Sequence, residues 1–325
     1  MSSGGGKKAI IAAFLANLAI AVAKLVGFLL TGSSSMLAES VHSLADTGNQ
    51  GLLLLGGRRA EKHATRQHPF GYGRERYFWS FIVALVLFSA GGVFAIFEGV
   101  EKILHPHALE SVPVAIVILV VAIAAETFSF RTALAEAAPE RGDASLWQFV
   151  RRSKRPELPV VVLEDLAALI GLCLALVAVG VAEVTGQPRW DGVGTAAIGV
   201  VLVAVAVVLA IEMKSLLIGE AATVGTEDQI VAVVEGHPEV VRVIHLRSEH
   251  LGPDELLVGV KVEFTGSLDV AHLADAVNQV EAAVRAQVPS VKHLYVEPDV
   301  TRPDHEPHTP PDRAATEKAD PAGRH

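Results

Sequence analysis

The sequence predicts a polytopic α-helical membrane protein: a six-transmembrane-helix bundle followed by a C-terminal cytoplasmic ferredoxin-like α+β domain. Three observations carry that prediction. Hydrophobic residues make up 51% of the 325-residue chain and charged residues 19%, an apolar excess beyond that of most soluble domains. The apolar residues gather before residue 218 in runs close to the length of a bilayer crossing. Beyond Gly219 the texture changes to short alternating and helical stretches.

Taken in order, a short cytoplasmic segment, 1–8, precedes an apolar run that continues to Leu30. That run is too long for a signal-peptide core and is followed by further spans, so it reads as the first crossing. Spans are expected at 9–31, 36–57, 78–104, 111–138, 159–184 and 191–218, together a transmembrane domain of residues 9–218. The loops separate by charge. Arg58, Arg59, Lys62, Arg66, Arg74 and Arg76 follow the second span, and Arg141, Arg151, Arg152, Lys154 and Arg155 follow the fourth, while the other loops carry little beyond Lys102 and Arg189. By the positive-inside rule both ends of the chain face the cytoplasm. With no organelle-targeting stretch ahead of the first span, the expected location is a prokaryotic inner (cytoplasmic) membrane.

Residues 219–300 form the second domain. Helical periodicity over 226–236, a strand at 240–247, a turn at Gly252-Pro253, a strand at 255–264, an amphipathic helix at 269–287 and a strand at 291–297 give an αββαβ order. That order suits a ferredoxin-like domain. The Pro-, Asp- and His-rich tail, 301–325, is expected to be disordered. The formal charge of −9 falls mostly after residue 218 and argues against nucleic acid as a partner. Cys173, inside an apolar run, excludes a disulfide framework and a cysteine zinc site, and reads as buried. Lys24 is expected to snorkel to the interface, Trp79, Trp147 and Trp190 to anchor there, and Asp191 to cap the sixth span.

The informative residues are those a bilayer tolerates poorly, since an ionisable group at mid-span costs about 2.5–3.5 kcal/mol on insertion scales and usually faces a bundle interior or an aqueous cavity. The second span holds Glu39, His42 and Asp46, spaced to share one helical face with Asn49; the fifth holds Glu164 and Asp165; the fourth holds Glu126. His42 and Asp46, one turn apart, can present an imidazole nitrogen and a carboxylate oxygen to one ion. With one or both acids of the fifth span they complete a four-ligand N/O shell suited to zinc. The imidazole tilts the set toward zinc, while manganese, iron and cobalt stay open. The alternative is interhelical hydrogen bonding by protonated carboxylates.

These features resemble the cation diffusion facilitator family of zinc transporters over nearly the whole chain from the first span to about residue 300. The segments SSSMLAESVHSLADTGNQ (33–50) and HPFGYGRERYFW (68–79) resemble its mitochondrial zinc-transporter-9-like branch in particular. The resemblance implies that His42 and Asp46 match the family's metal-binding pair on the second span and that Asp165 matches the last ligand of the fifth. Val161 stands four residues before it, where the family carries histidine, and Glu164 and Glu39 are the added acids. It also implies a homodimer assembled through the C-terminal domain. A peripheral site with paired histidines is not expected, because Tyr72 stands at the second position, so His68 is expected to shape its loop. In the C-terminal domain, Tyr295 and Glu297 occupy the region where some members bind zinc, and His245, His250, His272 and His293 read as solvated surface histidines.

Zinc binding needs neutral imidazole and ionised carboxylates, so loading metal releases protons and protonation releases metal. The expected activity is secondary active transport, zinc leaving the cytoplasm against entering protons, with His42, Asp46 and Asp165 as ligands, Glu164 as fourth ligand or proton acceptor, and Glu39 supporting them. A non-transporting regulatory subunit of the same fold is the rival reading. No HExxH motif and no paired nucleophile and base stand at membrane depth, so an intramembrane enzyme is not expected.

Overall fold

The computed structural model describes residues 34–106 and 112–301, with single positions at 14, 18, 22, 25, 26 and 29; within its helices the side chains of 34–43, 45, 46, 88, 114 and 118 lie outside that description. The first expected span, with Lys24, falls largely outside it, as does the tail beyond Thr301. Residues up to Ile218 and from Gly219 onward form two compact units.

In the first unit, helix α1 runs over Ser34–Ala60, 27 residues or about 40 Å at 1.5 Å per residue, long enough for the expected second span. Helices α2 (Glu75–Val86) and α3 (Phe94–Leu104) are joined by a π-helical stretch, Leu87–Val93. Then come α4 (Val112–Arg141), the short α5 (Leu146–Arg152), α6 (Glu157–Thr185) and α7 (Arg189–Ile218). Among the described residues four helical runs are long and apolar enough to cross a membrane: Glu75–Leu104, Ala115–Arg141, Glu157–Thr185 and Arg189–Ile218. The polar face of α1 keeps it out of that apolar class. The sequence reading did not foresee α5, which starts from a reciprocal cap: Ser145 Oγ accepts from the Gln148 amide at 3.2 Å, and the Ser145 amide donates to Gln148 Oε1 at 3.0 Å.

Lipid offers helices no hydrophobic gain from pairing, so contact must come from close packing. The third and sixth crossings achieve it through glycine. A Cβ on Gly99 would lie 2.4 Å from the Ala196 amide nitrogen, and one on Gly199 would lie 2.6 Å from the Ile96 amide nitrogen. Gly92 meets Val203, and Gly192 meets Gly99 and Ile103, in the same way. These two heptad-spaced glycine pairs let the backbones touch. Ion pairs tie the ends of the spans: Arg76 to Glu157 at 3.6 Å, Arg151 to Glu212 at 3.7 Å and Lys102 to Asp191 at 3.1 Å.

Several expectations change. Cys173 is exposed rather than buried, because the outward face of a membrane helix meets lipid and an apolar run there need not be covered. Asp191 sits in the first turn of α7 and pairs with Lys102 instead of capping the helix. Trp79 is half-buried, donating to Glu75 Oε2 at 2.7 Å with Arg59 over its ring, whereas Trp147 and Trp190 are exposed.

In the second unit α8 (Val224–Glu235), β1 (Val240–Gly252), β2 (Glu255–Phe264), α9 (Val270–Gln287) and β3 (Val291–Pro298) give the expected αββαβ order. The sheet order is β1-β2-β3, antiparallel between the first two and parallel between the last two. The parallel pair is what the α9 crossover requires. Alternate residues of β2, Leu256, Val258, Val260 and Val262, are buried with Ile230 and Val234 of α8 and Val280 and Val284 of α9.

We expect Gly99→Ala to lower stability by about 1–3 kcal/mol by overpacking the seam, read as an earlier thermal transition of the purified protein in detergent. Gly180→Ala, with nothing within 4 Å of the added carbon, should melt no earlier than wild type; equal losses in the two variants would rule the seam out.

Candidate metal centre

The face of α1 that bears Glu39, His42 and Asp46 ends in Asn49, the first of the four whose side chain the structure describes. The side chains of Glu39, His42 and Asp46 lie outside the described residues, although their backbone is helical. Asn49 is only 3% exposed, and its Nδ2 donates to Glu164 Oε1 at 2.8 Å. One partly buried hydrogen bond thus joins α1 to α6 less than one turn beyond Asp46.

Asp165 is the next residue of α6, and it reaches a different neighbour. Its Oδ2 accepts from Ser129 Oγ of α4 at 3.0 Å. Helix positions one apart diverge by about 100°, so consecutive carboxylates serve two helices, α1 through Glu164 and α4 through Asp165. Both acids are half-buried, as is Glu126, one turn before Ser129. The interhelical hydrogen bonding that the sequence reading set against metal ligation is therefore present. In both bonds an N–H or O–H donates to a carboxylate oxygen, which an ionised acid accepts without carrying a proton. The bonds orient the two acids and leave them able to act as anions.

Val161, four residues before Asp165, packs against the apolar cluster containing Leu53, Val160 and Leu163. It is a core contact and offers no ligand atom. Among the described residues no three His, Cys, Asp or Glu side chains gather where a metal could sit; the described part of the centre is the carboxylate pair with Asn49 and Ser129. Ser129 was not singled out from the sequence because a serine carries no charge. Its position three after Glu126 on a bilayer-spanning helix was the available signal.

The His68 ring packs at a tilt against Tyr72, 4.6 Å between ring centroids, Lys62 lies 5.8 Å from the Tyr72 ring centre, and the His68 amide donates to Thr65 Oγ1 at 3.1 Å. The pair shapes its loop. In the C-terminal domain His272 pairs with Asp269 at 2.8 Å, where Asp269 caps α9, and Glu297 pairs with Lys261 at 3.1 Å. His250 departs from the expected surface position: it is buried, with Nδ1 3.4 Å from the Gly252 carbonyl, because β1 runs on to Gly252 and its last residues close the sheet end.

Two family models divide the chain between them. Residues 10–218 match the cation efflux transmembrane domain, and residues 225–299 match the cation efflux protein cytoplasmic domain. The chain belongs to the cation efflux family. Among its curated relatives, the proton-coupled zinc antiporter SLC30A9, mitochondrial, of Xenopus laevis is 29% identical over 281 residues, 83% of this chain and 50% of that protein. The protein of that name from Homo sapiens is 30% identical over 246 residues, 75% of this chain and 43% of that one. The chain thus spans about half the length of the curated relatives it matches. A solved MamM C-terminal domain is 23% identical, covering 24% of this chain and 96% of that one, with a TM-score of 0.23. As a cation efflux chain the molecule is a multi-pass membrane protein.

Cysteine pairs test the two helix contacts. In a Cys173→Ser background, Asn49→Cys with Glu164→Cys, and Ser129→Cys with Asp165→Cys, should each be bridged by a short bifunctional thiol reagent. Asn49→Cys with Gly180→Cys should not, because position 180 lies about 24 Å along α6 from Glu164. Bridging of all three pairs alike would contradict the arrangement.

Proposed function

We propose that this cation efflux protein exports zinc from the cytoplasm in exchange for protons, through an intramembrane site built from His42, Asp46, Glu164 and Asp165 with Glu39 beside them. The observation that carries the reading is the Asn49–Glu164 hydrogen bond, which brings the acid of the fifth span to the polar face of the second at membrane depth. The curated relatives support the choice of ion and counter-ion, being named proton-coupled zinc antiporters. His42, Asp46 and Asp165 act as ligands, and Glu164 acts as fourth ligand or proton acceptor. Zinc requires these groups deprotonated, so each loading releases protons and each protonation releases zinc. An inward proton gradient then drives zinc outward. The protein works as a secondary transporter rather than an enzyme, as a homodimer joined through the C-terminal domain, in an inner (cytoplasmic) membrane with both termini on the cytoplasmic side.

The test is zinc flux into proteoliposomes of the purified full chain under an imposed pH gradient. Wild type should accumulate zinc only with the gradient, and Asp165→Ala or Asp46→Ala should abolish uptake while inserting and melting normally. Wild-type uptake rates in either variant would remove that residue from the site. No flux of zinc, manganese, iron or cobalt in wild type would replace transport with the regulatory-subunit reading.

A further inference from the structure

Of the described buried polar atoms that lack a hydrogen-bond partner, one belongs to a residue bonded to the acid pair. Asn49 spends its amide nitrogen on Glu164, and its Oδ1 is buried with no hydrogen-bond partner among the described residues. The orientation is fixed by chemistry: a carboxylate only accepts, so the NH2 group must face Glu164 and the carbonyl oxygen must point away from it. A side chain 3% exposed with an unpaired acceptor is rare in folded proteins, because removing that oxygen from water without a partner is costly. Such an atom calls for a cation or a donor, and its place is on the His42 and Asp46 stripe. The adjacent residue has the same feature, since Gln50 Oε1 is also buried and unpartnered among the described residues. Among the described hydrogen bonds it is Asn49 that reaches the carboxylate pair, so Asn49 couples the feature to the centre.

We infer that Asn49 is a selectivity-determining residue of the cation site: its N–H group positions Glu164, and its carbonyl oxygen supplies a neutral oxygen donor to the transported divalent cation. This rests on the transport reading above and adds a ligand that ionisable-residue searches pass over. A neutral amide oxygen is a hard donor. It contributes to binding without needing deprotonation, and it favours harder ions such as manganese over softer ones such as cadmium more than imidazole does. Its contribution is therefore independent of pH, unlike that of the surrounding acids and histidine.

The experiment is equilibrium binding of Mn2+, Zn2+ and Cd2+ to the purified full-length protein in detergent, by calorimetry at two pH values, for wild type and Asn49→Leu. Leucine matches asparagine in shape and removes both polar functions, and a thermal transition within a few degrees of wild type establishes that it folds. Asn49→Leu should weaken Mn2+ binding at least tenfold more than Cd2+ binding, and this ratio of the two losses should be the same at both pH values, since losing the N–H bond to Glu164 affects both ions alike. Asn49→Asp, which keeps an oxygen donor, should recover Mn2+ binding relative to Leu. Equal weakening of all three ions would leave Asn49 as a holder of Glu164 alone and overturn the donor role; unchanged binding would overturn both roles. If Asn49→Leu does not fold, Asn49→Ala, which also lacks both polar functions, replaces it under the same criterion. Failure of wild type to bind any of the three ions would overturn the transport site itself, an outcome separate from the behaviour of the variants.

Discussion

Two acids at consecutive positions of a membrane helix impose a geometric demand that organises the helices around them. Their side chains diverge by about 100°, so no single neighbour can satisfy both, and hydrocarbon can satisfy neither. Glu164 and Asp165 meet the demand by taking a donor from each side, Asn49 of α1 and Ser129 of α4. Because those donors belong to different helices, the two bonds link α1, α4 and α6 through one pair of neighbouring acids. The polar centre therefore also joins helices, and a relative movement of α1, α4 and α6 has to break or replace these two bonds.

The remainder of the bundle is held by a different kind of force. Along the seam of the third crossing and α7 the charged pair Lys102–Asp191 lies at the end of the spans. Shape does the work, with glycine letting one backbone press on the other at Gly92, Gly99, Gly192 and Gly199. The membrane unit thus combines a polar lock on one side of α6 with close steric packing on the other side of the bundle. The ion pairs Arg76–Glu157, Arg151–Glu212 and Lys102–Asp191 hold the ends of the spans, where charge is tolerated.

Much of this was legible in the sequence, for reasons that differ by element. Runs of apolar residues fix bilayer spans by length alone, and the strands expected at 240–247 and 255–264 announce themselves by alternation or apolar density, although the first runs on to Gly252. Glu164 and Asp165 stood out because charge at mid-span is expensive. What sequence could not deliver was the partner of each group. Nothing in the spacing says that Glu164 faces α1 and Asp165 accepts from α4, because that depends on which helices pack on α6. Ser129 escaped notice because hydroxyls are common and cheap. Cys173 and His250 were misplaced for mirrored reasons: an apolar run in lipid need not be covered, and a histidine at a strand end can be. The short α5 and the π-helical stretch depend on local hydrogen bonding that hydrophobic periodicity does not encode.

The π-helical stretch has a consequence for how this chain can change over time. A helix that closes its hydrogen bonds over five residues instead of four, as Phe94 does to Ser89, carries one residue more than an α-helix needs for the same turn. Here it carries Gly92 of the seam and precedes Gly99, so it sets the phase with which Gly99 arrives opposite Ala196. Loss of one residue anywhere in Leu87–Val93 would relax the stretch to ordinary α-helix and swing the whole of α3 by about 100°, turning Gly99 away from Ala196. Substitutions there can drift, but the count of residues cannot. The third crossing is in this sense a combination lock whose setting is a number rather than a set of side chains.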